Sequence, residues 1–222
     1  MDRTSREETA RIEVTIGAPV DVVWRALREP DQIRRWHGWH FDGLADEIKL
    51  IYETGAHETD RRYVLEVEPD DLFELEEVEG GTRVRIIRST PDPNSEWAAY
   101  YDDVTEGWIS FLNQLRFMLE RHPHEERRTV FFSAEGGSSA PDDLVADSSA
   151  ASGSQWFTSD NQRGVVADDL GPGLLIVGVT PKATAMAILT TYGQDDPAFE
   201  HTCEQWTAWW NRHFPDAPAP VS

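Results

Sequence analysis

Residues 34–42, "RRWHGWHFD", hold Trp36, His37, Trp39, His40 and Asp42 within nine positions. Two imidazoles and a carboxylate this close can ligate a divalent metal or move protons, and two indoles can plug an apolar core. His37 and His40, three apart, reach one metal together only on a helix, and Gly38 between them argues for a turn. No third ligand is signalled beyond common carboxylates such as Asp42. A metal site is therefore not expected, and the indoles are the stronger candidates as wall or plug residues.

The other reactive side chains carry less. His57 is the remaining imidazole of the first half, while His122 and His124 flank Pro123 in a stretch that reads as a solvent-exposed linker. Cys203 falls on the apolar stripe of the last helix, three residues before Trp206, where a packed, inert thiol is expected. It is the single cysteine, which excludes an intrachain disulfide framework and fits a reducing cytoplasm. No Gly-x-Ser-x-Gly elbow, phosphate loop or dinucleotide fingerprint occurs, and no cofactor is expected.

Forty-one acidic against 20 basic side chains give a net charge of −21. That field repels phosphate backbones, so nucleic acid is not an expected partner. The charged start "MDRTSREETA" has no apolar run, and neither a signal peptide nor a membrane span is expected.

The elements that must position these residues follow from periodicity. "ARIEVTI" (10–16) alternates like a strand, and "GAPVDVVWRAL" (17–27) and "PDQIRRW" (30–36) read as helices opened by prolines. "EIKLIY", "RRYVLEVE", "LFELEEVE" and "TRVRIIRS" read as a meander, the last two joined by a hairpin at Gly80-Gly81. Residues 95–121 carry apolar side chains every three or four positions and read as one long helix. This order predicts an α+β layout in which a curved antiparallel sheet grips the last helix.

A second set of elements follows. "RRTVFFSAEGG" reads as a strand, a short helix is expected after Pro141, and two more strands precede a terminal helix over "DPAFEHTCEQWTAWWNRHF". At an ungapped offset of 102, residues 61–90 match 163–192, with Leu72 on Leu174, Thr82 on Thr184 and Ile86 on Ile188. "EGWISFLNQ" likewise echoes "EQWTAWWNR", and "GAPVDVV" echoes "SAPDDLV". The second half reads as a shortened, diverged copy that lacks the "RRWHGWHFD" region. The expected division is 8–122, a linker at 123–126, the copy at 127–215 and a loose Pro-rich tail at 216–222. "GLLIVGV" and "AMAIL" lack an outward charged face, so that face is expected to pack on the first domain or on another subunit.

The residues Ala18, Pro19, Val23, Trp24, Ala26, Leu27, Trp36, Gly107 and Trp108, in this order and spacing, resemble the activators of the heat-shock-protein-90 ATPase. That family belongs to the helix-grip superfamily of START, polyketide-cyclase and birch-pollen-allergen-like proteins. The resemblance covers residues 10 to 121 and implies a helix-grip fold with a cavity between sheet and long helix. Strand parity places Tyr52, Tyr63, Phe73 and Arg88 on the inward face, with the glutamates outward and Glu76 facing Arg85. The expected cavity walls are Trp36, Trp39, Tyr52, Tyr63, Phe73, Tyr101, Trp108 and Phe111, with Arg88 anchoring an anionic or carbonyl group. The alternative at Arg88 is a filled core from which it snorkels to the rim. Gly107, mid-helix, is expected to mark a close approach of helix to sheet or ligand.

The functional expectation is a non-enzymatic, cytoplasmic binding protein. Its partner would be a small hydrophobic molecule or, by the resemblance, a chaperone-type protein. The alternatives are a cyclase- or hydrolase-like enzyme with His37, His40 or His57 as acid/base, and a scaffold that associates through the Trp-rich second half, as a homodimer or by interdomain packing.

Overall fold

The computed structural model describes residues 8–67, 71–89, 101–136, 140–167, 173–180 and 183–222; the side chains of residues 8–11, 101 and 149 lie outside that description. The described chain divides into two units, one drawn from Met1–His37 with Gly43–Pro123 and the other from Gly38–Asp42 with His124–Ser222.

In the first unit, strand β1 (Glu8–Ile16) leads into helices α1 (Val20–Arg28), α2 (Pro30–Ile33) and α3 (Leu44–Ile48), the last continuing as a π-helical turn, Lys49–Thr54. Strands β2 (Ala56–Glu58), β3 (Val64–Val67), β4 (Asp71–Val78) and β5 (Gly81–Ser89) follow, and helix α4 (Tyr101–Arg121) ends the unit. The sheet order is β1-β5-β4-β3-β2, antiparallel throughout. Its inward residues Phe73, Leu75, Val84 and Ile86 are buried, as are Leu112, Leu115 and Met118 of α4. The outward residues form an ionic lattice: Arg83 pairs with Glu13 and Glu76, Arg85 with Glu13, and Arg61 with Glu74.

The second unit repeats this plan. Strand β6 (Arg127–Glu135), helix α5 (Pro141–Ala146), a 3₁₀ turn (Ser149–Ser152), strands β7 (Ser154–Thr158), β8 (Gln162–Ala167), β9 (Gly173–Val179) and β10 (Thr184–Tyr192), and helix α6 (Asp196–His213) come in order. Its sheet order, β6-β10-β9-β8-β7, is the first unit's order element for element. The fold is thus α+β, a helix-grip unit followed by a shortened copy. The shortening lies between first strand and meander, where residues 136–153 stand for residues 17–55.

Four sequence expectations are corrected. "EIKLIY" is helical, ending α3 and entering the π-helical turn. Leu44, Ile48 and Tyr52 are buried at intervals of four, a spacing that fits period two and a helix equally. Leu50, which period two in this segment would place inward beside Ile48 and Tyr52, is instead 67% exposed.

The β4–β5 turn lies at Glu79-Gly80, because Val78 pairs with Gly81. Glu76 therefore faces Arg83, and Arg85 faces Glu74. A shift of two leaves every side chain on its face but changes its partner.

In the repeat, Phe73 pairs with Ile86 whereas Leu175 pairs with Leu189. Leu189, not Ile188, is thus the counterpart of Ile86, and the turn after β9 is longer by one residue. Finally, the tail is tied down: Val221 exchanges both backbone hydrogen bonds with Phe131 on the free edge of β6, at 2.8 and 3.0 Å.

Two glycines give opposite expectations. A Cβ on Gly81 would sit 2.0 Å from the carbonyl oxygen of Ile16, so Gly81→Ala should cost about 1–3 kcal/mol. On Gly107 a Cβ meets, among the described residues, only the Phe111 ring at 3.8 Å, an ordinary contact. Close approach does not explain this glycine there, and Gly107→Ala should stabilise by about 1 kcal/mol. Urea denaturation of the two variants checks both signs.

Candidate functional site

The site grows from the end of α2. Residues Arg34–His37 continue the helical hydrogen bonding, with His37 N–H donating to the Ile33 carbonyl at 2.9 Å. Gly38, at φ 57°, then takes the left-handed conformation that ends helices and that glycine adopts without strain. The turn separates two pairs of residues. Trp36 and His37 are buried in the first unit, and the Trp36 indole donates to the Ala26 carbonyl at 2.9 Å.

Trp39 belongs to the second unit, where its ring stacks on Phe131 at 3.8 Å and 7°. The His40 N–H donates to Thr129 Oγ1 beside it, at 2.7 Å. Phe131 pairs with Ile188 across the sheet, so Trp39 covers that sheet on the face opposite the α6 side. Leu174, Ile176 and Ile188 are all buried.

His37 is the hub of the first unit's core. Its ring contacts Phe111, Tyr52, Trp36 and Trp108 at centroid distances of 4.7, 5.2, 5.7 and 6.0 Å. Its Nε2 lies 2.8 Å from Glu47 Oε1 and its Nδ1 lies 3.0 Å from the Tyr52 hydroxyl. An ionised carboxylate can only accept, so Nε2 carries the ring hydrogen and Nδ1 accepts from Tyr52 O–H. Tyr52 and His37 are each 1% exposed, whereas the Glu47 side chain is 38% exposed. Burial first, and the nearby Glu47 second, hold the Tyr52 phenol well above its ordinary pKa of 10.0.

A second polar cluster lies on the other side of Trp108. Arg88 Nε donates to both oxygens of Asp71, at 3.1 and 3.2 Å, and its Nη1 to Thr105 Oγ1 at 2.5 Å. The Trp108 indole donates to Asp71 Oδ2 at 3.2 Å, and its ring meets Phe73 edge-on at 5.0 Å. One ion pair thus joins β4, β5 and α4.

Of the residues expected to wall a cavity, Trp36, Tyr52, Phe73, Trp108 and Phe111 come together in one cluster. The others do not join it. Tyr63, at φ 61°, turns outward: its ring packs on Trp24, Arg62 lies over it, and its hydroxyl bonds Asp21. Arg88 is already engaged by Asp71. Trp39 is in the second unit, and the Tyr101 side chain lies outside the described residues.

The structure adds Glu47, Asp71 and the central place of His37, which sequence reasoning missed. Among the described residues, no group of three His, Cys, Asp or Glu is arranged to hold a metal, and no helix is long and apolar enough to cross a membrane. A cleft of about 280 Å³ opens elsewhere, among Arg61, Arg62, Glu74, Glu76, Arg83 and Arg85 of the outward face. Cys203 is half-buried, and burial pushes its thiol pKa up, as suits a packing residue.

No family model and no curated protein matches the chain. Among solved structures it is similar to DynU16, a protein of the dynemicin biosynthetic locus, at 14% identity over 94% of this chain and 97% of that one, with a TM-score of 0.35. The Aha1 dimer from Colwellia psychrerythraea is 18% identical over 51% of this chain and 97% of its own, with a TM-score of 0.37. Protein NE0264 from Nitrosomonas europaea is 15% identical over 51% and 95%, with a TM-score of 0.33. Likeness at this level carries no statement about activity or partner.

Two measurements probe the clusters. Removing one member of a buried ion pair strands the other, so Asp71→Ala should destabilise by about 3–5 kcal/mol in urea denaturation. Above about pH 10 the unfolded chain releases a proton that folded Tyr52 keeps, so stability should fall as pH rises through that range. Tyr52→Phe should flatten that alkaline limb.

Proposed function

We propose that the first unit is a binding protein of the helix-grip kind. Its ligand is a small hydrophobic molecule bearing a carbonyl or carboxylate, held among Trp36, Tyr52, Phe73, Trp108 and Phe111 between sheet and α4. The observation that carries this reading is the pair of polar clusters set inside an aromatic core. Burying ionisable groups costs several kcal/mol each before pairing, and well-packed apolar residues commonly give equal or greater stability. Apolar walls with a few fixed polar groups are what orient a small ligand. The rings touch one another, so a ligand enters by displacing ring contacts, and binding must register in Trp fluorescence.

The test is a titration with fatty acids and aromatic polyketides, read by Trp fluorescence and melting temperature. A ligand at 100 times its Kd should stabilise by about 2.7 kcal/mol, and Trp108→Phe should remove most of the fluorescence change. If no compound moves either signal, the reading is wrong. The chaperone-type partner rests on the sequence resemblance alone, and adding the chain to heat-shock-protein-90 and measuring its ATPase rate checks it.

A second reading, a cyclase- or hydrolase-like enzyme in the same core, is favoured by the pairing of His37 with Glu47.

A further inference from the structure

We propose that Glu47, His37 and Tyr52 form a proton relay, and that Tyr52 serves as the general base which removes a proton from a carbon next to a carbonyl in a ligand held by the first unit. This rests on the reading of that core as a ligand site and gives its second, enzymatic form a reaction class.

Three observations carry it. The first is the order of groups. Carboxylate, imidazole and hydroxyl lie in sequence at 2.8 and 3.0 Å, the distances of proton transfer. The half-exposed Glu47 stands at the solvent end and the buried Tyr52 at the inner end.

The second is the backbone that aims Tyr52. It lies in the π-helical turn Lys49–Thr54, a conformation found in well under about 1% of residues and often at functional sites. Arg28 Nη1 holds the Tyr52 carbonyl at 3.1 Å, which fixes the turn from outside.

The third comes from the second unit. There the same fold closes over residues 136–153, which contain no His, Tyr or Glu. The sheet order alone therefore does not require the triad.

The step balances without an oxidant or reductant. The ligand's C–H bond breaks, and its electron pair moves toward the carbonyl to give an enolate. The proton passes to Tyr52 Oη while the Tyr52 proton moves to His37 Nδ1. The imidazolium so formed keeps its Nε2–H on the Glu47 carboxylate, which offsets its charge. The reverse transfers return the proton to another carbon of the enolate, so the reaction is an isomerisation. Tyr52 is the catalytic residue; His37 and Glu47 are positioning residues that act through it.

The probe is 5-nitrobenzisoxazole, whose ring opens to a coloured phenolate after one proton abstraction. The wild-type chain should open it faster than buffer, and Tyr52→Phe, which keeps the ring and loses the hydroxyl, should lower the rate at least tenfold. Glu47→Gln keeps the size of a half-exposed side chain and should lower kcat with little change in KM, whereas a merely structural Glu47 would not split the two. Glu47→Asp should restore part of kcat. Circular dichroism establishes that each variant is folded, and quenching of Trp fluorescence by the probe measures binding separately.

If the probe binds and the folded Tyr52→Phe and Glu47→Gln proteins match the wild-type rate, the relay is refuted while the binding reading stands. The same holds if it binds and the wild type is no faster than buffer. A probe that neither binds nor reacts counts against both.

Discussion

The first unit depends on one ion pair. Arg88 and Asp71 face each other at the next rung of the β4–β5 ladder beyond Leu72 and Ile87, and both are nearly buried. An isolated charge at either position would be prohibitive, so each requires the other. The pair reaches past the sheet, because Asp71 also accepts the Trp108 indole and Arg88 also donates to Thr105, both on α4. The hydrophobic attraction of a helix for a sheet is non-directional, whereas two hydrogen bonds to a cross-strand charge pair are directional and set the register of α4. The position of Trp108, and with it the ring cluster around His37, follows from that constraint.

The second unit shows what the fold does without this constraint. The residue aligned with Asp71 is Gly173, and the one aligned with Trp108 is Trp206, whose indole N–H is buried with no hydrogen-bond acceptor among the described residues. Packing replaces polar contacts here: Trp206, Trp209 and Trp210 meet Phe132, Leu175 and Leu189 in one apolar cluster. Its sheet has exchanged the outward arginine–glutamate lattice for Leu174, Ile176 and Ile188, and part of that face is covered by Trp39 from the early segment of the chain. The two units share one topology and both bury an apolar core, but the seam between sheet and last helix holds a satisfied ion pair in the first and an all-apolar cluster in the second.

How far the sequence disclosed this depended on whether a signal was periodic. The helix-grip order, the long helix and the doubling were legible because burial repeats along strands and helices at fixed intervals. "EIKLIY" was ambiguous because Ile48 and Tyr52, four apart, satisfy both periods. Asp71 was hidden by a turn placed one residue late, which pairs Arg88 with Phe73 instead of the acid. Had the hairpin been drawn at Glu79-Gly80, an inward arginine opposite an inward aspartate would have declared the pair. Glu47 had no such route. Its approach to His37 comes from a turn and a π-helical stretch, and neither leaves a repeat in the sequence.

Gly38 gives "RRWHGWHFD" its final meaning. Reading the nine residues as one site assumes that proximity in sequence is proximity in space. A single left-handed residue breaks that assumption, leaving Trp36 and His37 with the first sheet and Trp39 and His40 with the second. The two histidines therefore do different work. His40 contributes a backbone N–H to Thr129, while the His37 ring is hydrogen-bonded between Glu47 and Tyr52. A substitution at Gly38 would act on both units at once, because any side chain there strains the turn that sends the chain from one to the other. Only one member of the cluster, His37, meets a carboxylate and a hydroxyl through its ring among the contacts described, and these partners come from ten and fifteen residues further along the chain.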